Sequence, residues 1–357
     1  MSNAHTHQGI IRARKTLSIM PTYTCTAACT HCASLSSPKE RTNLDLDIVF
    51  EAIRQAKDLN FYNVVFTGGE ATLRWKDLLT AIEFAHSLGF PIRLVTNAHW
   101  AHSLEKASSR LDDLIARGLS EINYSTGDEH VRFVPLQRVV NATVAAVQHS
   151  FRVTVVIELR AQRRVSKVDF LKHPMIAALT AEQMEYVHVI ESPWMPLNPE
   201  LTEQYPDGVA VDSQNVNMRL GCNNVLQTYT LQADGRVGAC CGIGMRTIPE
   251  LNVVTTESPN FLYRAIDEAE DDFLKLWIHC KGPEKLLAWA AEKNPEIKWE
   301  GMYAHHCQAC ARVYKDPAVK KVIFEHYEEM VSEVIQSAWL DEEYIPMCLN
   351  NGHGEHL

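Results

Sequence analysis

Cys25, Cys29 and Cys32 stand in the spacing C-x3-C-x2-C, in a polar loop that follows the apolar run Leu17–Met20. Three thiolates on one loop can wrap a single inorganic cluster. A 4Fe-4S cluster usually takes four cysteines, so a three-cysteine site leaves one iron open as a reactive position. A structural zinc ion is the competing reading, because a closed zinc site needs four ligands and His31 stands beside Cys32. Neighbouring positions rarely both reach one tetrahedral ion, which favours iron and sulfide. Further along, Thr67-Gly68-Gly69-Glu70 closes the apolar run Asn63–Phe66 with two glycines that let a ligand approach the backbone. A plain glycine turn at a strand end is the alternative for that motif taken alone.

In this order the two motifs resemble those of the radical S-adenosylmethionine (SAM) enzymes, in which the open iron binds the amino and carboxylate groups of SAM. The resemblance implies that backbone groups of Gly68 and Gly69, with the Glu70 carboxylate, hold the SAM amino group. It places His31 where the family usually has an aromatic residue leaning on the adenine. It also places Asn97, Ser125 and Asp128 where the family contacts the ribose and carboxylate. It implies further that one electron, from a flavodoxin- or ferredoxin-type donor, cleaves SAM to methionine and a 5'-deoxyadenosyl radical, which takes a hydrogen atom from the substrate. The protein's part is to aim that radical and to exclude water.

A second set of thiols follows: Cys222, the pair Cys240-Cys241, and Cys307-Gln-Ala-Cys310. Four of the five would close an auxiliary 4Fe-4S cluster; a four-cysteine zinc site is the competing reading. Successive side chains of a strand point to opposite faces, so only one member of the pair can join the set. This assigns Cys222, Cys240, Cys307 and Cys310 as ligands and leaves Cys241 aimed the other way, toward the barrel mouth. A protonated thiol there could return a hydrogen atom to a carbon radical, and apolar burial would keep it protonated. Removing hydrogen from one face of a peptide α carbon and returning it to the other converts an L- to a D-residue. A buried structural thiol is the plainer account of Cys241.

The arrangement resembles the radical SAM peptide epimerases that act on ribosomally made precursor peptides, with an auxiliary domain of the SPASM/twitch kind. Beyond the motifs above, the resemblance rests on Thr96-Asn97, on Tyr124-Ser-Thr-Gly-Asp-Glu-His130 and on Asp234-Gly-Arg-Val-Gly-Ala-Cys-Cys241. In that family the second cysteine of the pair donates the hydrogen. A proline is common just before the pair; Ala239 replaces it here. A peptide maturase forming a thioether or carbon-carbon crosslink would use the same first cluster and is the second reading. A metal-stabilised binding protein without turnover is the third.

Residues of this kind need a scaffold. The chain has 357 residues, 46% of them hydrophobic, enough for one large core and a second, smaller one. Its formal charge of −10 argues against general nucleic-acid binding, which uses basic surface, and leaves small molecules and peptides. No apolar run is long enough to cross a bilayer and no signal peptide opens the chain, so the expected location is the cytoplasm and no membrane partner is expected. Ten cysteines in that compartment read as metal ligands rather than disulfides. Cys280 and Cys348 stand outside both sets and read as inert buried thiols.

Apolar runs at Leu17–Met20, Asn63–Phe66, Ile92–Thr96, Glu121–Tyr124, Val153–Leu159 and Tyr186–Ile190 read as buried parallel strands. Helical periodicity fills the gaps at Leu46–Leu59, Trp75–Leu88, Leu104–Ala116 and Leu136–Gln148. The fold class is therefore α/β, a partial (β/α)6 TIM-like barrel with its motifs on loops at the carboxyl ends of the strands. Residues 1–16 form an arm, 17–192 the barrel and 193–217 a proline-interrupted linker. Residues 218–315 form a β-hairpin plus helical auxiliary-cluster domain, and 316–357 a final helix and tail. Asp-Gly at 234–235 between Gln227–Leu231 and Arg236–Cys240 signals the hairpin. Asn260–Ala291 reads as helical, Cys307 and Cys310 as lying in a looser stretch, and Ala318–Trp339 as one helix. The acids of Asp267–Asp272 read as a solvated face. Arg160, Arg163, Arg164 and Lys167 read as a solvated basic loop, with pairing to an acidic peptide as the alternative. Only 24 residues precede Cys25, fewer than the roughly 80 of a separate leader-binding domain. A leader is thus expected to dock on the barrel, on Pro193–Pro206 or on a partner protein.

Overall fold

A computed structural model describes residues 15–198, 201–242 and 244–340. Cys348, the arm up to residue 14 and the tail beyond 340 lie outside the described residues. Six parallel strands, β1 (Thr16–Ile19), β2 (Asn63–Phe66), β3 (Ile92–Thr96), β4 (Glu121–Thr126), β5 (Val153–Leu159) and β6 (Val187–Pro193), lie side by side in chain order. Helices α1 (Leu46–Asp58), α2 (Trp75–Ser87), α3 (Leu104–Ala116) and α4 (Leu136–Gln148) form the first four crossovers. Local chemistry starts two of them: Asp45 accepts the N–H of Asp47 before α1, and Ser103 accepts that of Lys106 before α3. In α1, Val49, Ala52, Ile53 and Ala56 bury one face against the sheet. Three short helices replace a long one between β5 and β6: Lys167–Lys172, Pro174–Ala177 and Ala181–Met184.

Strand alternation divides the sheet into two faces. Leu17, Ile19, Val64, Phe66, Ile92, Leu94, Ile122 and Tyr124 enter the apolar core under the helices. Thr16, Ser18, Val65, Arg93, Val95, Asn123 and Ser125 point inward and line a cavity. The apolar half of the pattern makes the scaffold and the polar half makes the site.

The hairpin does not found a separate sheet. β7 (Thr228–Leu231) pairs in parallel with β1, with Thr16 opposite Thr228, and β8 (Arg236–Gly238) and β9 (Asn252–Thr255) continue antiparallel beyond it. One sheet thus runs β6-β5-β4-β3-β2-β1-β7-β8-β9. One large apolar cluster, from Leu17 to Val334, runs through both halves, and a second, small one gathers Met20, Tyr23, Ala233 and Met245. The proline segment after β6 is a strap: Tyr205 donates its hydroxyl to Trp194 O (2.6 Å) and accepts from Gln308 Nε2 (3.0 Å), and Val211 N–H reaches Tyr303 O (2.6 Å).

The remaining helices differ in detail from expectation. Asn260–Ala291 divides into helices Phe261–Glu270, Phe273–Lys281 and Pro283–Lys293, and the final amphipathic stretch into Pro317–His326 and Glu328–Trp339. Of the acidic run, Asp272 is not merely solvated: it caps Phe273–Lys281 and pairs with Lys275. Cys280 is half-buried. Tyr229, buried on β7 beside Phe61, sits where the two halves share their core. Replacing it with alanine should cost about 3 kcal/mol and lower Tm by about 4 °C. Because the core is continuous, calorimetry should show one transition moving as a unit rather than the auxiliary half melting first.

Candidate functional site

The cavity at the centre of the sheet has a volume of about 560 Å³. At the carboxyl ends of the strands it is bounded by Cys25, Cys29, His31, Cys32, Gly68, Gly69, Asn97 and Ser125. The loop after β1 is pinned to the loop after β2: Gly69 N–H reaches Thr22 O and Glu70 N–H reaches Thr24 O, both at 2.9 Å. This close approach is what the glycines are for. A Cβ on Gly69 would lie 2.3 Å from Thr24 O, and one on Gly68, whose φ is +110°, would lie 2.9 Å from Thr22 O. Ser34 donates to Gly68 O (3.1 Å) and adds a second tie.

Backbone N–H groups already point at the sulfurs. Ala27 donates to Cys25 Sγ (3.4 Å) and Ser36 to Cys32 Sγ (3.3 Å), while Asn97 Nδ2 approaches Cys25 Sγ at 3.6 Å. Burial pushes the thiols of Cys25 and Cys29 up to about 12, so bare thiolates are disfavoured there and a metal centre would offset that cost. Among the described residues, the set of three or more His, Cys, Asp or Glu donors within 4.8 Å of one another is His31, His130 and Glu158, and neither cysteine set closes that tightly.

Not every expected contact faces the cavity in the way first read. The Glu70 carboxylate is buried and committed to the protein: Oε1 accepts from Thr72 N (3.2 Å), Thr72 Oγ1 (2.5 Å) and Thr96 Oγ1 (2.8 Å), and Oε2 from Asn97 N (2.9 Å). It caps one turn and orients Asn97 rather than presenting free oxygens to a ligand. Asp128 lies outside the cavity, because its carboxylate accepts the backbone N–H groups of Arg164 (3.0 Å) and Val165 (2.9 Å). Arg160 is only partly exposed: it pairs with Glu203 (2.8 Å) and stacks over Trp194 at 4.3 Å. His31 packs edge-on to His130 (5.6 Å between ring centroids) and near Trp194, and burial pushes its imidazole down to about 4. A neutral ring is the form suited to packing.

The amino ends of the strands close the cavity with Thr16, Arg93, Asn224, Thr228 and Cys241. The chain leaves β8 running antiparallel to β7, with Leu226 N–H on Ala239 O, which brings Cys241 to the level where Thr228 pairs with Thr16. At about 3.3 Å per residue, Thr16 to Met20 spans about 13 Å. The thiol and the three-cysteine loop therefore stand at opposite poles of one chamber. Burial pushes the Cys241 thiol up to about 11.

Cys240 turns the other way. A Cβ on Gly242 would lie 2.5 Å from Cys307 Sγ and 3.6 Å from Cys240 Sγ, so that glycine lets the two sulfurs converge. Burial, with repulsion from Cys241, Cys307, Cys222 and Cys310 for Cys240 and from Cys307, Cys222 and Glu284 for Cys310, raises both thiols well above the usual range. Cys307 and Cys310 lie on a helix, His306–Lys315, rather than in a loose stretch, because a His305–Gln308 capping box starts it. At positions i and i+3 they share a face.

Sequence reasoning missed His130, Glu158, Arg93, Asn123 and Asn224. Glu158 accepts from His130 Nδ1 (2.7 Å) and Glu129 N (3.0 Å), Arg93 pairs with Glu121, and Asn123 keeps an unpartnered buried Oδ1 at the cavity. His130 ends a stretch quoted for its resemblance; for Arg93 and Asn123, the polar inner positions of strands β3 and β4 were the available signal.

Residues 19–157 match the model of the Radical SAM superfamily. This segment is a radical SAM domain. Such a domain uses SAM and a 4Fe-4S cluster, and the donor set above fits both. YydG of Bacillus subtilis (strain 168), whose name assigns it provisionally to peptide biosynthesis, is 29% identical over 340 residues, spanning 89% of this chain and 98% of its own. The structure of Streptococcus suis SuiB bound to precursor peptide SuiA has a similar fold, with a TM-score of 0.53 and 15% identity over 72% of this chain and 66% of that chain. Among the described residues no helix is long and apolar enough to cross a membrane.

Anaerobic reconstitution should load about eight irons per chain, two full clusters. Gly69→Ala, which drives the Cys25 loop off Thr24 O, should halve that count to about four while far-UV circular dichroism stays native.

Proposed function

We propose that the protein is a radical SAM enzyme of ribosomal-peptide maturation that converts L- to D-residues. The observation that carries this reading is the chamber with the three-cysteine loop at one pole and the Cys241 thiol at the other. A peptide α carbon lying between them would face a hydrogen acceptor on one side and a hydrogen donor on the opposite side, which is the geometry inversion requires. The relation to YydG supports a peptide as the substrate class.

In this reading Cys25, Cys29 and Cys32 hold the first 4Fe-4S cluster, and Cys222, Cys240, Cys307 and Cys310 hold an auxiliary one. His31, Gly68, Gly69, Asn97 and Ser125 hold SAM, with Glu70 fixing Asn97. When bound, SAM and the first cluster supply a 5'-deoxyadenosyl radical able to take a hydrogen atom from the peptide. Cys241 then acts for the chain: its S–H bond breaks as a new Cα–H bond forms. The sulfur radical left behind regains one proton from water and one electron from a flavodoxin- or ferredoxin-class donor. Strand β6, at the edge of the sheet, offers free backbone groups on which a peptide could add as a further strand.

In deuterium oxide each converted residue should gain about one mass unit through exchange at the donor thiol, whereas a thioether or carbon-carbon crosslink would lose about two hydrogens. Cys241→Ala should still form 5'-deoxyadenosine from SAM and yield no D-residue by chiral amino-acid analysis. A D-residue product from that variant would remove Cys241 from its role. Absence of 5'-deoxyadenosine from wild-type protein given peptide and reductant would instead favour a binding protein without turnover.

A further inference from the structure

We propose, on the epimerase reading above, that Asn224 is the positioning residue for the Cys241 thiol. The Cys241 S–H donates to Asn224 Oδ1 at 3.2 Å, and both residues line the amino-end pole of the chamber. Asn224 is a fixed point. Its carbonyl accepts the N–H groups of Gln227 (3.3 Å) and Thr228 (2.9 Å), closing the turn that feeds β7. The S–H it receives comes from the far arm of the hairpin, so one contact ties the donor sulfur to the start of the strand that pairs with β1.

The residue type suits the task. A thiol hydrogen turns about the Cβ–S bond and has no preferred direction of its own, so an acceptor decides where it points. A neutral amide oxygen accepts it weakly and leaves the proton on sulfur, so the hydrogen can depart as an atom when a carbon radical forms nearby. The other polar groups at this pole include Asn223, Thr16, the Thr228 hydroxyl from β7, which also reaches the Cys241 thiol, and the Arg93 guanidinium from β3, the last paired with Glu121. In the transfer the S–H bond breaks and the Cα–H bond forms. The resulting sulfur radical takes one electron from the flavodoxin- or ferredoxin-class donor and one proton from water, and Asn224 is unchanged.

The test has an arm that needs no peptide. With both clusters loaded, the infrared S–H stretch present in wild type and absent from Cys241→Ala belongs to Cys241. Asn224→Ala should shift that band toward the value of an unbonded thiol, and Asn224→Asp, which keeps an acceptor oxygen at the same reach, should restore it. Asn224→Leu, close in volume and without an acceptor, gives the same reading should alanine disturb iron loading. In the second arm, a Cα-deuterated form of the peptide that wild-type holoenzyme converts is given to each variant. Asn224→Ala should still pass deuterium to 5'-deoxyadenosine with KM unchanged, while D-residue formed per 5'-deoxyadenosine falls about threefold to tenfold, as expected from one lost hydrogen bond. An unmoved band overturns the contact. A raised KM with an unchanged ratio makes Asn224 a substrate-binding group and overturns the proposal. A shifted band in a protein whose wild type makes no D-residue overturns the epimerase reading, and hydrogen return with it, while leaving the hydrogen bond in place.

Discussion

Everything at the site depends on the near-contact of two backbones, where Gly69 and Glu70 meet the carbonyls of Thr22 and Thr24. The cysteine loop has little apolar packing of its own; these bonds continue the β1–β2 pairing past the strand ends and carry its direction into the loop. Two further ties reach it from distant parts of the chain. Arg246 donates to Ser34 O (2.8 Å) and stacks over Tyr23, and Tyr23 donates to Gln232 (3.3 Å). The carboxyl-terminal half therefore helps hold the loop that carries the first three cysteines.

Parallel pairing of β7 with β1 has a larger consequence than extending a sheet. It turns the hairpin so that the chain leaving β8 ends at the amino-end pole of the barrel cavity, with Cys241 inside and Cys240 outside. Two adjacent positions thus send one thiol into the cavity and the other toward Cys307. The buried thiols of Cys240 and Cys310 are costly to ionise, so a metal centre proposed there would be coupled to the folding of this half of the molecule.

Much of the scaffold was legible in the sequence because its signals are local. The strands Asn63–Phe66, Ile92–Thr96 and Val153–Leu159 and the helices Leu104–Ala116 and Leu136–Gln148 follow from runs and periods a few residues long. The cysteine spacings and the Asp-Gly turn are equally local. Less legible were features made by a distant partner. Asp128 resembles a ligand by position, yet it is taken by the amides of Arg164 and Val165; Glu70 resembles an open acceptor, yet Thr72, Thr96 and Asn97 saturate it. The large core spans both halves because β7 pairs with the edge of β1, and the small second cluster of Met20, Tyr23, Ala233 and Met245 draws on both as well.

By itself the sequence determined which elements form and which thiols stand near one another along the chain, since these rest on backbone geometry and short-range pattern. Only the tertiary structure decided that Cys241 and the three-cysteine loop line one chamber, that Cys241 finds Asn224, and which carboxylates remain open to a ligand. Those outcomes depend on strand order and on competition for hydrogen bonds between residues far apart in the chain, and no local pattern encodes the winner.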